Sequence, residues 1–394
     1  MKSSAKNSPV NFLMKCCSMG SSALLTQMVN DEGPLILDGG LATDLEAHGA
    51  KLQGDPLWSA RLLHTDPQAI RDAHYRFLLS GADVITTATY QASIPGFISH
   101  LEVSAERARE LLMSGVHLAK ETVKGFESGQ RRPLVAGSVG PYGAFLHDGS
   151  EYTGAYAEQM SVEELKVWHR PQIDCLAAAG ADLIAFETIP SIKEAEAVVE
   201  LLREFPNSKA WLSFSCKDQK CISDGSLFAD AVRVASRSRQ LLAVGVNCCP
   251  PDVVEPLLDS AGPLHTSDMS WVVYPNSGEE WDTERGWQTS GKPSAWTPDL
   301  SHMWVKQGAA LIGELSCFLL HSVFFFAAFS LSSSSLSYRR MLSYRPCSHS
   351  GAKAAVKGTV NLQPLQRGPK TWLPTKTRQA EGGRNLSLLT LCKL

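Results

Sequence analysis

The sequence predicts an α/β protein, a (β/α)8 TIM barrel with its last βα unit incomplete, followed by a disordered C-terminal tail. Three observations predict it. Short apolar runs bounded by turn formers recur between Pro34 and Gly313 and alternate with amphipathic helical stretches. One junction repeats, as Gly81-Ala82-Asp83-Val84-Ile85, Gly180-Ala181-Asp182-Leu183-Ile184 and Gly308-Ala309-Ala310-Leu311-Ile312. Each reads as a helix C-cap glycine and a short turn into a buried strand. Eight such units over about 280 residues suit a closed barrel better than a doubly wound sheet. No GxGxxG or P-loop run argues for a nucleotide-binding sheet.

Leu35-Ile36-Leu37 is a short strand ending in Asp38-Gly39-Gly40. Asp66-Pro67 opens a helix with a capping residue followed by proline, and Ile70, Ala73, Phe77 and Leu78 share one face of it. Val84-Ile85-Thr86-Thr87 is the second strand. A long helix comes next, with Ala105, Ala108, Leu112, Val116 and Ala119 in one stripe. Leu134-Val135-Ala136-Gly137 is the third strand, and a loop rich in glycine and aromatics runs from Gly140 to Tyr156. The next helix buries Leu165, Trp168, Ile173 and Leu176 and carries Pro171, where a kink is expected. Strands four to eight are Leu183–Phe186, Ala210–Phe214, Leu241–Val244, Trp271–Tyr274 and Ala310–Gly313.

Charge is unevenly distributed. From Glu314 onward there are 11 Lys+Arg against 2 Asp+Glu, so the formal −3 of the 394-residue chain leaves −12 on the residues before it. A body this acidic argues against a nucleic-acid partner. The cysteines form no dense framework and no CxxC pair, and no secretory signal is evident. A reducing, cytoplasmic setting is expected. Residues 1–33 are polar and small and read as a disordered extension.

After Gly313 the regular pattern breaks. No amphipathic helix succeeds the eighth strand. Instead come an apolar run from Leu315 to Phe329, a serine-rich run from Ser330 to Ser337, and a basic, aperiodic remainder that reads as disordered. The apolar run is near the lower limit for crossing a bilayer and contains His321, so membrane insertion is not expected.

In a barrel the carboxyl ends of the strands gather into one mouth. Three of these ends carry Asp38, Glu187 and Cys248. Two carboxylates there could hold a substrate ammonium by charge-assisted hydrogen bonds, or work as a general acid/base pair as in glycosidases. Cys248, in the run Gly245-Val246-Asn247-Cys248-Cys249-Pro250-Pro251, could ligate a soft metal such as zinc, act as a nucleophile, or simply fill space.

Several ordered motifs resemble the homocysteine S-methyltransferase family. They begin with Leu37-Asp38-Gly39-Gly40-Leu41-Ala42-Thr43-Asp44-Leu45-Glu46, Asp55-Pro56-Leu57-Trp58-Ser59-Ala60 and Thr89-Tyr90-Gln91-Ala92-Ser93. They continue with Gly137-Ser138-Val139-Gly140-Pro141-Tyr142-Gly143-Ala144, Asp148-Gly149-Ser150-Glu151-Tyr152, Glu187-Thr188, Ser223-Asp224-Gly225, Gly245-Val246-Asn247-Cys248 and Val273-Tyr274-Pro275-Asn276-Ser277-Gly278-Glu279. The Gly-Pro-Tyr-Gly-Ala and Asp-Gly-Ser-Glu-Tyr segments look like the branch using S-methylmethionine or S-adenosylmethionine rather than betaine.

That resemblance implies a zinc-dependent barrel transferring a methyl group from a sulfonium donor to homocysteine. It implies that Asp38, Glu187 and Asn247 hold homocysteine and that Cys248 is the first zinc ligand. The family's other two ligands are adjacent cysteines after a Gly-Gly at the end of strand eight. Here Gly313 is followed by Glu314-Leu315-Ser316, so Leu315 and Ser316 occupy the cysteine positions and Cys317 falls one residue late. Zinc binding is expected to suffer, and a missing closing helix would leave an unpaired strand edge.

The expected organisation is an extension over 1–33, a homocysteine-binding barrel over 34–313 and an unrelated tail over 314–394. Limited proteolysis should trim the chain to a core near 30 kDa, taking about 110 Da per residue for a domain of this length. A protease-resistant full-length chain would contradict this division.

Overall fold

The computed structural model describes residues 33–126, 132–264, 269–276, 279–282, 286–289 and 298–313. They fall in the first of two units, Met1–Tyr344; the second, Arg345–Leu394, lies outside the described residues. The expectations for the N-terminal extension, for Leu315, Ser316 and Cys317, and for the apolar and basic tail also lie outside them.

Eight parallel strands make the barrel: β1 (Leu35–Ile36), β2 (Val84–Thr86), β3 (Leu134–Val139), β4 (Leu183–Ile189), β5 (Ala210–Phe214), β6 (Leu241–Asn247), β7 (Ser270–Tyr274) and, after a hairpin of β8 (Glu279–Asp282) and β9 (Gly286–Thr289), β10 (Ala309–Ile312). Their spatial order is β1-β10-β7-β6-β5-β4-β3-β2. The β1/β2 seam is closed by a parallel bridge between Leu37 and Val84 and by Asp38 N donating to Val84 O at 3.0 Å. Strand β10 pairs with β7 on one side and β1 on the other. The unpaired edge expected at the final strand is therefore absent among the described residues. A strand needs only its two neighbours to satisfy its backbone, whichever segment comes after it in the chain.

The period-2 alternation of the strands sorts their side chains. Leu35, Leu37, Val84, Ala136, Ala185, Trp211, Ala243, Val272 and Leu311 form a buried cluster made from strand residues alone, the barrel's interior. Ile36, Ile85, Val135, Ile184, Phe186, Leu212, Val244, Val273 and Ile312 face outward and pack with the helices. Each such aliphatic side chain contributes about 1.5–3 kcal/mol by leaving water.

The helices are α1 (Leu41–Ala47), α2 (Leu62–Thr65), α3 (Pro67–Leu79), α4 (Ile94–Leu101), α5 (Ala105–Gly125), α6 (Tyr142–Leu146), α7 (Val162–Ala178), α8 (Ile192–Leu201), α9 (Phe228–Ala235), α10 (Val254–Ala261) and α11 (Pro298–Lys306). Local chemistry sets their ends. The Asp66 carboxylate accepts from Ala69 N at the start of α3, and Ser161 with Glu164 forms a capping box on α7. Helix α7 runs through Pro171 as one element. The repeated glycines Gly81, Gly180 and Gly308 have φ of 103°, 81° and 101°, a left-handed backbone that explains their recurrence. The short α4 and the β8–β9 hairpin lie between elements expected from the sequence.

Candidate active site

The carboxyl ends of β1, β4, β6 and β7 bring Asp38, Glu187, Asn247, Cys248 and Tyr274 to one mouth. Asp38 lies just past β1 and is 5 % exposed. Both its oxygens accept from Thr86 Oγ1 at 2.9 Å, and Oδ2 also accepts from Thr86 N at 2.8 Å. Burial nevertheless dominates and raises its pKa to about 8, against the opposing Thr86 bonds. The negative charge of Glu187 raises it further, so Asp38 feels its neighbour across the mouth. Glu187 is 6 % exposed; its Oε1 accepts from Ser138 Oγ and its Oε2 from the Tyr274 hydroxyl at 3.1 Å. Burial pushes this carboxyl up to about 7. Tyr274 is itself fixed by Trp211 Nε1 at 3.0 Å and Ser213 Oγ at 2.6 Å. No basic side chain pairs with either acid among the described residues.

Asn247 is fully buried, and its amide is engaged with Thr188 on both sides. Its Oδ1 accepts from Thr188 N and its Nδ2 donates to Thr188 Oγ1, both at 2.8 Å. This ties the end of β6 to the end of β4. It also holds Thr188 at φ 61°, a left-handed conformation costly for a β-branched residue. Cys248 is held at φ 49°, and its sulfur receives the Thr188 hydroxyl at 3.7 Å. Two strained residues in contact at the mouth mark it as a functional site. Asn247 thus shapes the backbone around Cys248 through Thr188.

The loop after β3 completes the mouth. Gly140 N donates to Tyr90 O at 3.1 Å, and Ser215 Oγ donates to Glu151 O at 2.9 Å. The Tyr152 hydroxyl bonds the Cys248 thiol, and Tyr90 bonds Thr188. The base of the loop rests on Glu194, fully buried at the start of α8. Its Oε1 accepts from Tyr142 N and faces His169 Nε2, each at 2.8 Å, and its Oε2 accepts from the Tyr156 hydroxyl. No local sequence signal points to Glu194, Thr86, Ser138 or Tyr152 individually. Tyr90 and the Glu151-Tyr152 pair are visible in the sequence only as parts of motifs.

Cys249, beside Cys248, is buried in the outer core and interacts with Cys216, so it turns away from the mouth. Burial holds the Cys248 thiol above its usual range. Among the described residues no three His, Cys, Asp or Glu gather into a possible metal site. Both mouth carboxyls are already hydrogen-bonded, and a single thiol does not fit the tetrahedral set of a tight zinc centre.

An acid pair beside a thiol at the mouth of a parallel barrel is the arrangement of a barrel enzyme. Comparison with known proteins gives the family. The family model described as Homocysteine S-methyltransferase matches residues 35–314. Betaine-homocysteine S-methyltransferase of Drosophila melanogaster is 42% identical over 302 residues, covering 72% of this chain and 90% of that protein. Homocysteine S-methyltransferase 1 of Arabidopsis thaliana is 41% identical over 312 residues, covering 74% and 92%. Among solved structures, the metallated form of the homocysteine methyltransferase MmuM from Escherichia coli superposes with a TM-score of 0.68 at 35% identity, covering 79% of this chain and 99% of that one. The chain belongs to the homocysteine S-methyltransferase family. No described helix is long and apolar enough to cross a membrane.

The acid pair carries a stability signature. Folded values of about 8 for Asp38 and about 7 for Glu187 lie above the roughly 4 of the unfolded chain. The folded state then binds more protons between about pH 4 and 8, so the pair's contribution falls as pH rises through that window. Urea unfolding from pH 5 to 8 should show a shallower decline for an Asp38→Asn, Glu187→Gln double variant than for the parent. Parallel curves would show that the acids ionise normally in the fold.

Proposed function

We propose that this chain binds homocysteine and a sulfonium methyl donor, S-methylmethionine or S-adenosylmethionine, and that its mouth is arranged for methyl transfer giving methionine. Residues 34–313 form the working barrel in this reading, with 1–33 and 314–394 appended. The convergence of two buried carboxyls at one mouth, unpaired with any described basic group, carries the reading. Once ionised, Asp38 and Glu187 take the ammonium of homocysteine by charge-assisted hydrogen bonds. Asn247 acts on the substrate through Thr188, which it holds in place.

The chemistry asks little proton transfer of the protein. The homocysteine thiolate donates an electron pair to the donor's methyl carbon, an S–C bond forms, and the donor C–S bond breaks. Its electron pair returns to the donor sulfur, leaving a neutral thioether. The barrel's task is to orient the two sulfurs in line and to exclude water. In the family pattern zinc supplies the thiolate, and Cys248 would be its first ligand. The two further cysteines that pattern needs are replaced by Leu315 and Ser316.

That replacement favours a second reading, a catalytically impaired variant that binds substrate or modulates partners. Leucine cannot ligate, and a serine hydroxyl stays protonated far above neutral pH. Zinc content and methionine formation should both be low for the parent and should rise when Glu314→Gly, Leu315→Cys and Ser316→Cys are combined. Stoichiometric zinc and brisk turnover in the parent would restore the plain enzyme reading.

The binding half is tested separately. Replacing Asp38 by Asn or Glu187 by Gln should weaken homocysteine binding by about 1.5–3 kcal/mol, roughly ten- to a hundredfold. Unchanged calorimetric affinity in both variants would remove the acids from the substrate site.

A further inference from the structure

A third carboxyl lies in the same mouth with no basic side chain to neutralise it among the described residues. Glu151 sits in the one-turn segment Ser150–Tyr152 of the loop after β3. It is partly buried, and its Oε2 is shut from solvent with no hydrogen-bond partner among the described residues. No described Lys, Arg or His forms an ion pair with it. The charged neighbour it feels, Asp148, has the same sign. A buried carboxylate left this way is unfavourable unless a cation arrives, so the position is arranged for something other than stability.

Its surroundings indicate the kind of cation. The rings of Tyr90 and Tyr152 both feel the Glu151 charge, and both also feel Cys248. Tyr152 bonds the Cys248 thiol and Tyr90 bonds Thr188, so Glu151 belongs to the cluster around the thiol. An ammonium ion wants three hydrogen-bond acceptors in fixed directions. A sulfonium has no N–H or O–H to donate and an apolar rim of carbon. It is held by charge and by the faces of aromatic rings. One unpaired carboxyl oxygen with two tyrosines close enough to feel its charge suits the second kind of cation.

We infer that Glu151, with Tyr90 and Tyr152, is the subsite that recognises the positive sulfur of the methyl donor and separates charged sulfonium donors from neutral thioethers. The inference rests on the methyl-transfer reading of this mouth and names the group that selects the second substrate. It assigns the acids different tasks: Asp38 and Glu187 hold an ammonium, and Glu151 faces a sulfonium. It also gives product release a cause. Transfer of the methyl group removes the positive charge from the donor, and the neutral thioether left behind loses its attraction to Glu151.

S-methylmethionine and methionine test this directly. They share the same ammonium and carboxylate and differ only by one methyl group and the charge on sulfur. Each is titrated calorimetrically into the full-length parent chain, into Glu151→Gln and into Glu151→Asp, with homocysteine titrated separately. The parent should bind S-methylmethionine at least tenfold more tightly than methionine. Glu151→Gln should bring the two affinities together while leaving homocysteine binding unchanged, and Glu151→Asp should keep part of the preference. Equal affinities in the parent, or a preference that survives in Glu151→Gln with homocysteine binding intact, overturns the subsite. Loss of homocysteine binding in Glu151→Gln as well makes Glu151 a structural support and equally overturns it. A parent that binds S-methylmethionine selectively but not homocysteine separates the cases, upholding the subsite and removing the homocysteine reading.

Discussion

The closure of the parallel sheet at β1 is the constraint on which everything else rests. This strand is only two residues long, yet it must satisfy both β10 and the start of β2. It does so partly with a side chain: Ile36 N donates to Asp83 Oδ2 at 3.0 Å, while Asp83 N returns a bond to Ile36 O at 2.8 Å. Asp83 belongs to the repeated glycine junction, and Asp182 does the same for Val135 N at 2.9 Å. The junction therefore turns the chain and also supplies an acceptor to the neighbouring strand. Because the seam closes, the carboxyl ends of β1 and β4 face one space, and Asp38 and Glu187 meet.

Within that space the backbone is held by polar contacts of high specificity. The Asn247 amide can satisfy a backbone N–H and a hydroxyl at once, which no apolar residue of similar size can do. Removing it would leave Thr188 N buried and unpaired, a cost of about 1–3 kcal/mol. The left-handed Thr188 and Cys248 would then have little to hold them there. Glu194 plays the corresponding part for the loop: one carboxylate gathers the backbone N–H of Tyr142, the loop's last tyrosine and a histidine of α7. The mouth is thus held at two anchors, one beneath the thiol and one beneath the loop that carries Glu151.

Much of the fold was legible in the sequence because its signals are local. The glycines at 81, 180 and 308 announce left-handed caps, Asp66-Pro67 announces a helix start, and short apolar runs announce strands buried on both faces. The acids at the ends of the first and fourth strands were legible for the same reason: a strand end is a sequence feature. The features that could not be read are long-range. Asn247 reads in the sequence only as a substrate-holding residue of the Gly245-Val246-Asn247-Cys248 motif until Thr188, 59 residues earlier, is seen to occupy its amide. Glu194 looks like an ordinary acid in a helix's first turn. The expected open edge failed similarly, since pairing of β10 depends on β1 and β7 and is indifferent to the sequence beyond Gly313.

Three carboxyls in one mouth, two buried and one partly buried, set the electrostatics of the site. Each prefers to keep its proton in the folded chain, with values raised to about 8, 7 and 7 for Asp38, Glu187 and Glu151. Burial is the first cause in every case; the charge of Glu187 adds to it for Asp38, and that of Asp148 for Glu151. A cation entering the mouth reverses the balance, because it favours the ionised form of whichever acid it meets. Binding of a cationic ligand should then release protons near neutral pH, and two cationic ligands should release more than one. Between Glu187 and Asp38 the same coupling favours a shared ligand: an ammonium that meets Glu187 offsets its repulsion of Asp38. Carboxyls gathered in one mouth without described basic partners would only weaken a protein that had no cationic group to bind there.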